Sequence, residues 1–310
     1  MNLQSMDYII TTAREKSITK AARKLNITQQ TLSAHISALE DELGSKLFIR
    51  HIPLELTYSG KEFLKYAINI QNQVKNLRRT FNEISGEERG ILKIGVTHMR
   101  GNIILPPIIM DFQRKHHGIN LNVIESANDV LAQKLREGEV DVCISDFSSY
   151  RAQLNMVDLY KEKLVFIIKK DLFLDIYGNN ATYFASKLET SSEYKVLEGC
   201  PLLVSPQQDI SGRFARKIME SFDCQPIIKA EASNVELLLR LCVSGLGGLV
   251  CPEIILRNVL SPYQIEDLFV FGLGPDAEYN IRIGWKDEWK IINSFIDSAK
   301  SKISASQHYA

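Results

Sequence analysis

Through the first sixty residues, apolar positions recur at helical spacing and are interrupted by short polar turns. Leu3, Met6, Ile10 and Ala13 fall three or four residues apart, which predicts the buried face of a first helix. Ser17-Ile18-Thr19 offers capping hydroxyls, and Ala21, Ala22 and Leu25 then line a short second helix. Two adjacent alanines suit a close helix–helix approach, because larger side chains would hold the backbones apart. After a turn at Asn26-Ile27, Thr28 can cap a third helix with the stripe Leu32, Ile36, Leu39 and Leu43, ending at Gly44. Residues 46–50 and 54–57 read as two short strands around His51-Ile52-Pro53, and Pro53 suits an edge hairpin.

A longer helix follows. Ser59-Gly60-Lys61-Glu62 fits the S-x-x-E capping box. Phe63, Ala67, Ile70, Val74, Leu77, Phe81 and Ile84 are then spaced alternately four and three residues apart, a heptad seam along a rod of roughly 36 Å. The seam is too long for a sixty-residue domain to hide, so pairing with a second copy of the chain is expected; packing against its own domain is the alternative. Ser85-Gly86-Glu87-Glu88-Arg89-Gly90 is a polar hinge. From Ile91 onward strands and helices alternate, predicting a largely parallel sheet in two α/β lobes with a cleft between them, like that of solute-binding proteins. Residues 164–169 run into the second lobe, strands around 265–271 and 281–285 return to the first, and 171–200 reads as an irregular helical insertion.

Composition narrows the function classes. The chain has 310 residues with 37 Lys+Arg against 37 Asp+Glu, 45% hydrophobic and 24% charged, which is globular and suggests about two domains. No apolar run approaches the ~20 residues of a membrane span, and the first seven residues lack a signal peptide's basic start and apolar core. A soluble, cytoplasmic chain without a membrane partner is expected. Cys143, Cys200, Cys224, Cys242 and Cys251 contain no C-x-x-C pair, so they read as reduced, small hydrophobes. Gly245-x-Gly247-Gly248 has Val250 where a dinucleotide-binding loop needs its last glycine. His116 and His117 are adjacent, about 100° apart on a helix, and poorly placed to share a metal. No catalytic set, cofactor or metal is expected.

Zero net charge conceals an asymmetry: residues 1–90 hold 13 Lys or Arg and 10 Asp or Glu, a net +3 that the remainder cancels. Two short helices joined by a tight turn form a helix-turn-helix, whose following helix enters the major groove by its N-terminal end. Its outward residues are Thr28, Gln29, Gln30, Thr31, Ser33, Ala34 and Ser37, with His35 at the edge. Gln can pair bidentately with adenine, and hydroxyls reach bases or phosphates. Lys20, Arg23, Lys24 and, in the hairpin, Arg50 are candidate phosphate contacts. A solvated polar face on a small helical bundle is the alternative.

The run Ser17-Ile18-Thr19-Lys20-Ala21-Ala22-Arg23-Lys24-Leu25, with Thr28-Gln29, Leu32-Ser33, Ile36, Leu39-Glu40, Leu43-Gly44, Leu47-Phe48, Arg50, Leu56-Thr57 and Gly60, resembles the winged helix-turn-helix of LysR-type transcriptional regulators. Gln30 stands where that family commonly has proline, Ala34 where it has a basic residue, and the wing is shorter and contains Glu55. In the second part, Ser244 to Pro252 is similar to the family's Gly-rich turn, strand and proline. The resemblance implies an α+β multidomain chain. Residues 1–60 would be the winged helix-turn-helix and 61–89 a dimerising linker helix and hinge. Residues 90–310 would be a two-lobed, periplasmic-binding-protein-like effector domain, with lobe I about 90–162 and 268–310 and lobe II about 163–267. It implies a homodimer, or a tetramer, on a pseudo-palindromic operator, and places Thr97, Ser126, Ser145 and Ser205 where family members contact small effectors.

Ligands in such sheets sit beyond the carboxyl ends of strands, at helix N-termini that favour anions. The edges here are Thr97-His98-Met99-Arg100, Ser126, Ser145-Asp146 and the segment from Ser205 to Arg213. His98 and Arg100 can each pair with a carboxylate, so an anionic effector is expected; for His98 the alternative is a partly buried histidine bonded to a loop. The competing function is a cytoplasmic small-molecule binding protein or enzyme on the same cleft, with the N-terminal helices used only for assembly.

Overall fold

The structure, a computed structural model, describes residues 1–85, 88–147, 154–191 and 193–307. Gly86 and Glu87 of the expected hinge lie outside them. The chain divides into two compact units, Met1–Gly90 and Ile91–Ala310.

In the first unit, α1 (Leu3–Glu15) starts where Asn2 accepts the Ser5 N–H, and α2 (Ile18–Lys24) where Ser17 accepts that of Lys20. Thr28 caps α3 (Gln29–Leu43) by accepting the Thr31 N–H at 3.1 Å, and Gly44, with φ of 67°, ends it. Ala21 and Ala22 are sealed among Ile9, Leu32, Ile36 and Leu39, as the close approach of the helices requires. Leu43, expected on the buried stripe, is 41% exposed; Glu40 takes its place inside. Its carboxylate accepts the Leu47 and Phe48 N–H groups at 2.9 and 3.3 Å. With these amides bound to a helix side chain, the hairpin keeps only β1 (Phe48–Ile49) and β2 (Glu55–Leu56), shorter than expected.

Helix α4 (Tyr58–Ile84) follows. Its start differs from the expected Ser59 box: the Thr57 hydroxyl accepts the Gly60 N–H at 2.9 Å and donates to the Lys46 carbonyl at 2.6 Å, tying helix to wing. A Cβ at Gly60 would fall 2.0 Å from the Leu47 carbonyl oxygen, so the crossing needs glycine. The apolar seam has two fates. Phe63, Ala67 and Ile70 pack on Met6 and Ile10 of α1, within their own domain, whereas Leu77, Phe81 and Ile84 are 57, 61 and 74% exposed.

The second unit runs β3 (Gly90–Val96), α5 (His98–Lys115), β4 (Ile119–Glu125), α6 (Asn128–Arg136), β5 (Val142–Ser145), β6 (Asn155–Lys169), α7 (Lys170–Tyr177), α8 (Ala181–Ser191), β7 (Pro201–Val204), α9 (Ile210–Met219), β8 (Ile227–Glu231), α10 (Val235–Val243), β9 (Gly248–Pro252), α11 (Glu253–Val259), α12 (Pro262–Glu266), β10 (Leu268–Gly272), β11 (Glu278–Trp285) and α13 (Lys290–Gln307). The strand order is β4-β3-β5-β11-β6-β9-β7-β8, with β10 also on β6. Strand β6 joins two lobes: its first half lies antiparallel to β11, its second to β9 and β10. Parallel pairing survives for β3 with β5 and for β7 with β8 and β9. The sheet is therefore mixed, not largely parallel, because the connecting strands enter each lobe antiparallel.

Leu268–Gly272 pairs with residues 165–169, and Phe271 is buried with Phe166, so this segment belongs to the second lobe and the return to the first is β11. Ile265 lies in α12, not in a strand. The described part of the 171–200 insertion contains α7 and α8, whose Phe173 and Leu188 are buried with Phe166. Cys143, Cys200, Cys242 and Cys251 are buried. Burial pushes the Cys200 and Cys242 thiols up to about 12, which keeps them protonated.

Candidate functional site

Two surfaces answer to the residues singled out in the sequence. On the first unit, Lys20, Arg23, Lys24, Thr28, Gln29, Gln30 and Thr31 are exposed, with Ser33 and Ser37 half-buried beside them. The first turn of α3 contains no acidic residue, so its N-terminal N–H groups and dipole favour an anion. Some of these groups already have partners. Gln29 accepts from Thr19 at 3.1 Å, the Thr28 and Thr31 hydroxyls share a bond of 2.8 Å, Lys24 pairs with Glu15 at 2.7 Å, and Arg50 donates to Ser37 at 3.0 Å. The His35 ring lies 5.1 Å from that of Tyr8 and so leans on α1. Lys20 and Arg23 make no ion pair among the described residues.

In the second unit a cleft of about 760 Å³ opens between the lobes. It collects the starts of four helices: Thr97 before α5, Ala127 before α6, Asp209 before α9 and Asn234 before α10. Asn234 caps its helix by accepting the Leu237 N–H at 3.2 Å. The other three have no side-chain cap, so their leading N–H groups are available to a ligand. Thr97, His98, Met99, Arg100 and Ser126 line the cleft as expected, and Met99 also packs against the second lobe's core.

Four expected contacts do not line it. Ser145 is fully buried and donates to Asn128 at 2.8 Å, so it supports a lining residue from behind. Ser205 is buried at the end of β7. Asp146, after β5 in the first lobe, pairs at 3.3 Å with Arg213 on α9 in the second, and this ion pair links the lobes.

The cleft's arginines are matched internally, and His98 has a carboxylate beside it. His98 Nδ1 lies 2.8 Å from a Glu125 oxygen; the ring is exposed on the wall, not buried against a loop. Arg240 pairs with Glu236 at 2.7 Å. Arg100 is 4% exposed and binds Glu162 through Nη2 at 2.7 Å and through Nε at 3.4 Å, while Nη1 donates to the Thr97 hydroxyl at 3.3 Å. Glu162 also accepts from the Tyr160 and Tyr279 hydroxyls. Burial, the largest influence, would draw the guanidinium pKa down, but the Glu162 charge and hydrogen bond together with Tyr279 and Tyr160 outweigh it and hold Arg100 charged. Burial, and then the Glu162 charge, push both phenols far up, so they stay donors.

Residues 125, 128, 234, 236, 240 and 279 also line the cleft and are not singled out by the sequence, whereas Asp209 falls within the expected edge from Ser205 to Arg213. Burial raises the Asp209 carboxyl above its ordinary range, against the pull of Arg100 and Arg213. For Glu162 a signal exists: a period of two puts it on the inward face of β6 with Tyr160 and Leu164, between exposed Lys161 and Lys163. Among the described residues no group of His, Cys, Asp and Glu could hold a metal, and no helix is long and apolar enough to cross a membrane.

Residues 3–61 match the family described as bacterial regulatory helix-turn-helix protein, lysR family, and residues 85–268, more than half the chain, match the LysR substrate binding domain. The match at 3–61 favours DNA binding over the alternative in which these helices serve assembly alone. The chain is 25% identical over 256 residues to the probable cat1 operon transcriptional activator of Acinetobacter lwoffii, covering 81% of this chain and 80% of that one. A full-length OxyR variant from Pseudomonas aeruginosa has a similar structure, with a TM-score of 0.68, 23% identity and coverage of 97% and 95%. Full-length CbnR, solved in complex with its target DNA, aligns with a TM-score of 0.60 at 19% identity over 97% of this chain and all of that one (100%); at these identities the likeness speaks to the fold. The chain belongs to the lysR family of bacterial helix-turn-helix transcriptional regulators.

Proposed function

We propose that this regulator binds a pseudo-palindromic operator as a dimer and responds to a small effector that bears a carboxylate. The observation that carries the reading is the open first turn of α3, with Gln29, Gln30 and Thr31 turned to solvent, Ser33 half-buried behind them, and Lys20 and Arg23, free of ion pairs among the described residues, beside it. Gln29, Gln30 and Ser33 are assigned to base edges. Lys20, Arg23, Lys24 and Arg50 are assigned to phosphates, where the existing surface pairs are weak enough to exchange. Leu77, Phe81 and Ile84 are assigned to the second copy. The chain acts in the cytoplasm, without catalysis.

In the cleft, the effector's carboxylate is assigned to the uncapped N-terminal N–H groups of α5 and α6, with the Thr97 and Ser126 hydroxyls beside them, and not to Arg100 or His98. The effector acts by preferring one arrangement of the lobes, and only that difference in affinity can shift the regulator.

A gel shift with the chain's own upstream promoter at fixed salt tests the reading. Gln29→Ala with Ser33→Ala should weaken specific binding by about tenfold or more, since a good base contact contributes ~1–3 kcal/mol. Unchanged operator affinity would remove the assignment of α3. Calorimetry with small carboxylates, amines and neutral compounds tests the cleft: binding only of the last two classes would discard the carboxylate.

A further inference from the structure

With Arg100 matched to Glu162, Arg240 to Glu236 and His98 beside Glu125, one of the charged residues that line the cleft is left over. Asp209, at the N-cap of α9, makes no side-chain hydrogen bond or ion pair among the described residues. An aspartate in this position ordinarily accepts an N–H of its own first turn. Here its carbonyl opens the helix by accepting the Arg213 N–H at 2.9 Å, but its carboxylate stays out of the turn.

No neighbouring cation is placed to satisfy that carboxylate. Its half-buried position penalises the charge, Arg100 and Arg213 attract it from beyond ion-pair distance, and Asp129 and Asp146 repel it. Both arginines are committed elsewhere. Arg100 binds Glu162 and Thr97, and Arg213 donates through Nη1 to the Gln208 carbonyl at 2.8 Å and through Nη2 to Asp146 at 3.3 Å. An unmatched charge held partly out of water costs stability, and a cation carried by a ligand would offset that cost.

We propose that the cleft's effector is a zwitterion of the amino-acid type and that Asp209 selects for its ammonium group, on the reading that places the effector's carboxylate at the N-termini of α5 and α6. The ammonium donates a charge-assisted hydrogen bond to Asp209. Because α5 and α6 belong to the first lobe and α9 to the second, a ligand with both groups holds the lobes together by charge at each end. A simple carboxylate engages charge on one lobe alone. The ammonium therefore supplies the difference in affinity between lobe arrangements on which the response depends.

Calorimetry with the full chain tests this, using the standard amino acids, 4-aminobutanoate and 6-aminohexanoate, each beside the carboxylate that lacks its amino group. At least one amino acid should bind about tenfold or more tightly than its desamino partner, which leaves Asp209 unpaired. Asp209→Asn should remove most of that advantage and bind the desamino compound no worse than the parent chain does, since repulsion between two carboxylates is relieved. Equal weakening of both ligands would mean that Asp209 serves only the fold, and would overturn the assignment. An advantage that survives Asp209→Asn would overturn it too, by placing the ammonium elsewhere. Carboxylates that bind without any preference for an amino group would overturn the zwitterion and leave the carboxylate reading of the cleft intact. If neither class binds, both fall together.

Discussion

On α3 the amides and hydroxyls of the first turn face water, and Lys20 and Arg23 beside it have no ion-pair partner among the described residues; in the cleft Arg100 and Arg240 each have one, both at 2.7 Å. The difference follows from what each surface excludes. A DNA backbone arrives with its own counterions, and cations left in water meet it at little desolvation cost. A cation such as Arg100, shut away from water, is tolerable only when paired and hydrogen-bonded on most sides. On the proposed reading, free cations mark the surface offered to a polyanion, and matched arginines mark the wall of a cleft whose ligand's carboxylate is met by backbone and hydroxyl groups.

The comparison can be broken most sharply at Glu162. Glu162→Gln removes the charge that balances buried Arg100 and should destabilise the α/β unit by about 3–5 kcal/mol in denaturant unfolding; a loss near zero would mean that the pair is solvated and the contrast unreal. Glu40 tests whether the first unit is as open as its surface suggests, because it too is a buried, bonded carboxylate. Burial opposes its ionisation, yet the Leu47 and Phe48 N–H groups and Lys46 hold its pKa below the usual 4.5. Its contribution is thus present above that pH and lost as pH falls through the lower folded value. Glu40→Gln should cost about 1.5–3 kcal/mol at neutral pH, and the gap to the parent chain should close in acid unfolding series.

At Lys20 and Arg23 the expectation reverses. Alanine at either should leave stability within about 0.5 kcal/mol, while operator and random DNA are weakened alike and the salt slope of binding falls by about one; fluorescence anisotropy across salt concentrations reads both. The smallest effect is expected at Asp209. Its raised pKa means that the charged form is penalised in the fold, so Asp209→Asn should raise the melting temperature at neutral pH, by on the order of one or two degrees. The advantage should fade as pH falls and the parent carboxyl protonates; melts across pH 4–7 would show a constant gap if the assignment is wrong.

Much of the surface assigned to DNA could be read from residue order, since a helix cap at Thr28 and a stripe at Leu32, Ile36 and Leu39 settle which residues of α3 point outward. The wing was read less well because Glu40 sits four residues after Ile36, on the buried face, and local pattern does not say what a carboxylate there would bind. In the cleft, Thr97 and Ser126 were legible as ends of alternating strands. Glu236 and Tyr279 were not, because they come from segments that meet only when β6 carries the chain into a second lobe. The heptad seam of α4 was visible in full, but its division between α1 and solvent depended on where Met6 and Ile10 lie.

The sequence by itself determined the elements, their order and the family, because periodicity, caps and motif spacing act within a few residues of one another. The tertiary structure alone decided which charges are matched. Arg100 and Glu162 are 62 positions apart in the chain yet share a bond of 2.7 Å, and Asp146 meets Arg213 across the lobes at 3.3 Å. Such pairings are set by strand order and the desolvation that comes with packing, neither of which leaves a mark on neighbouring residues.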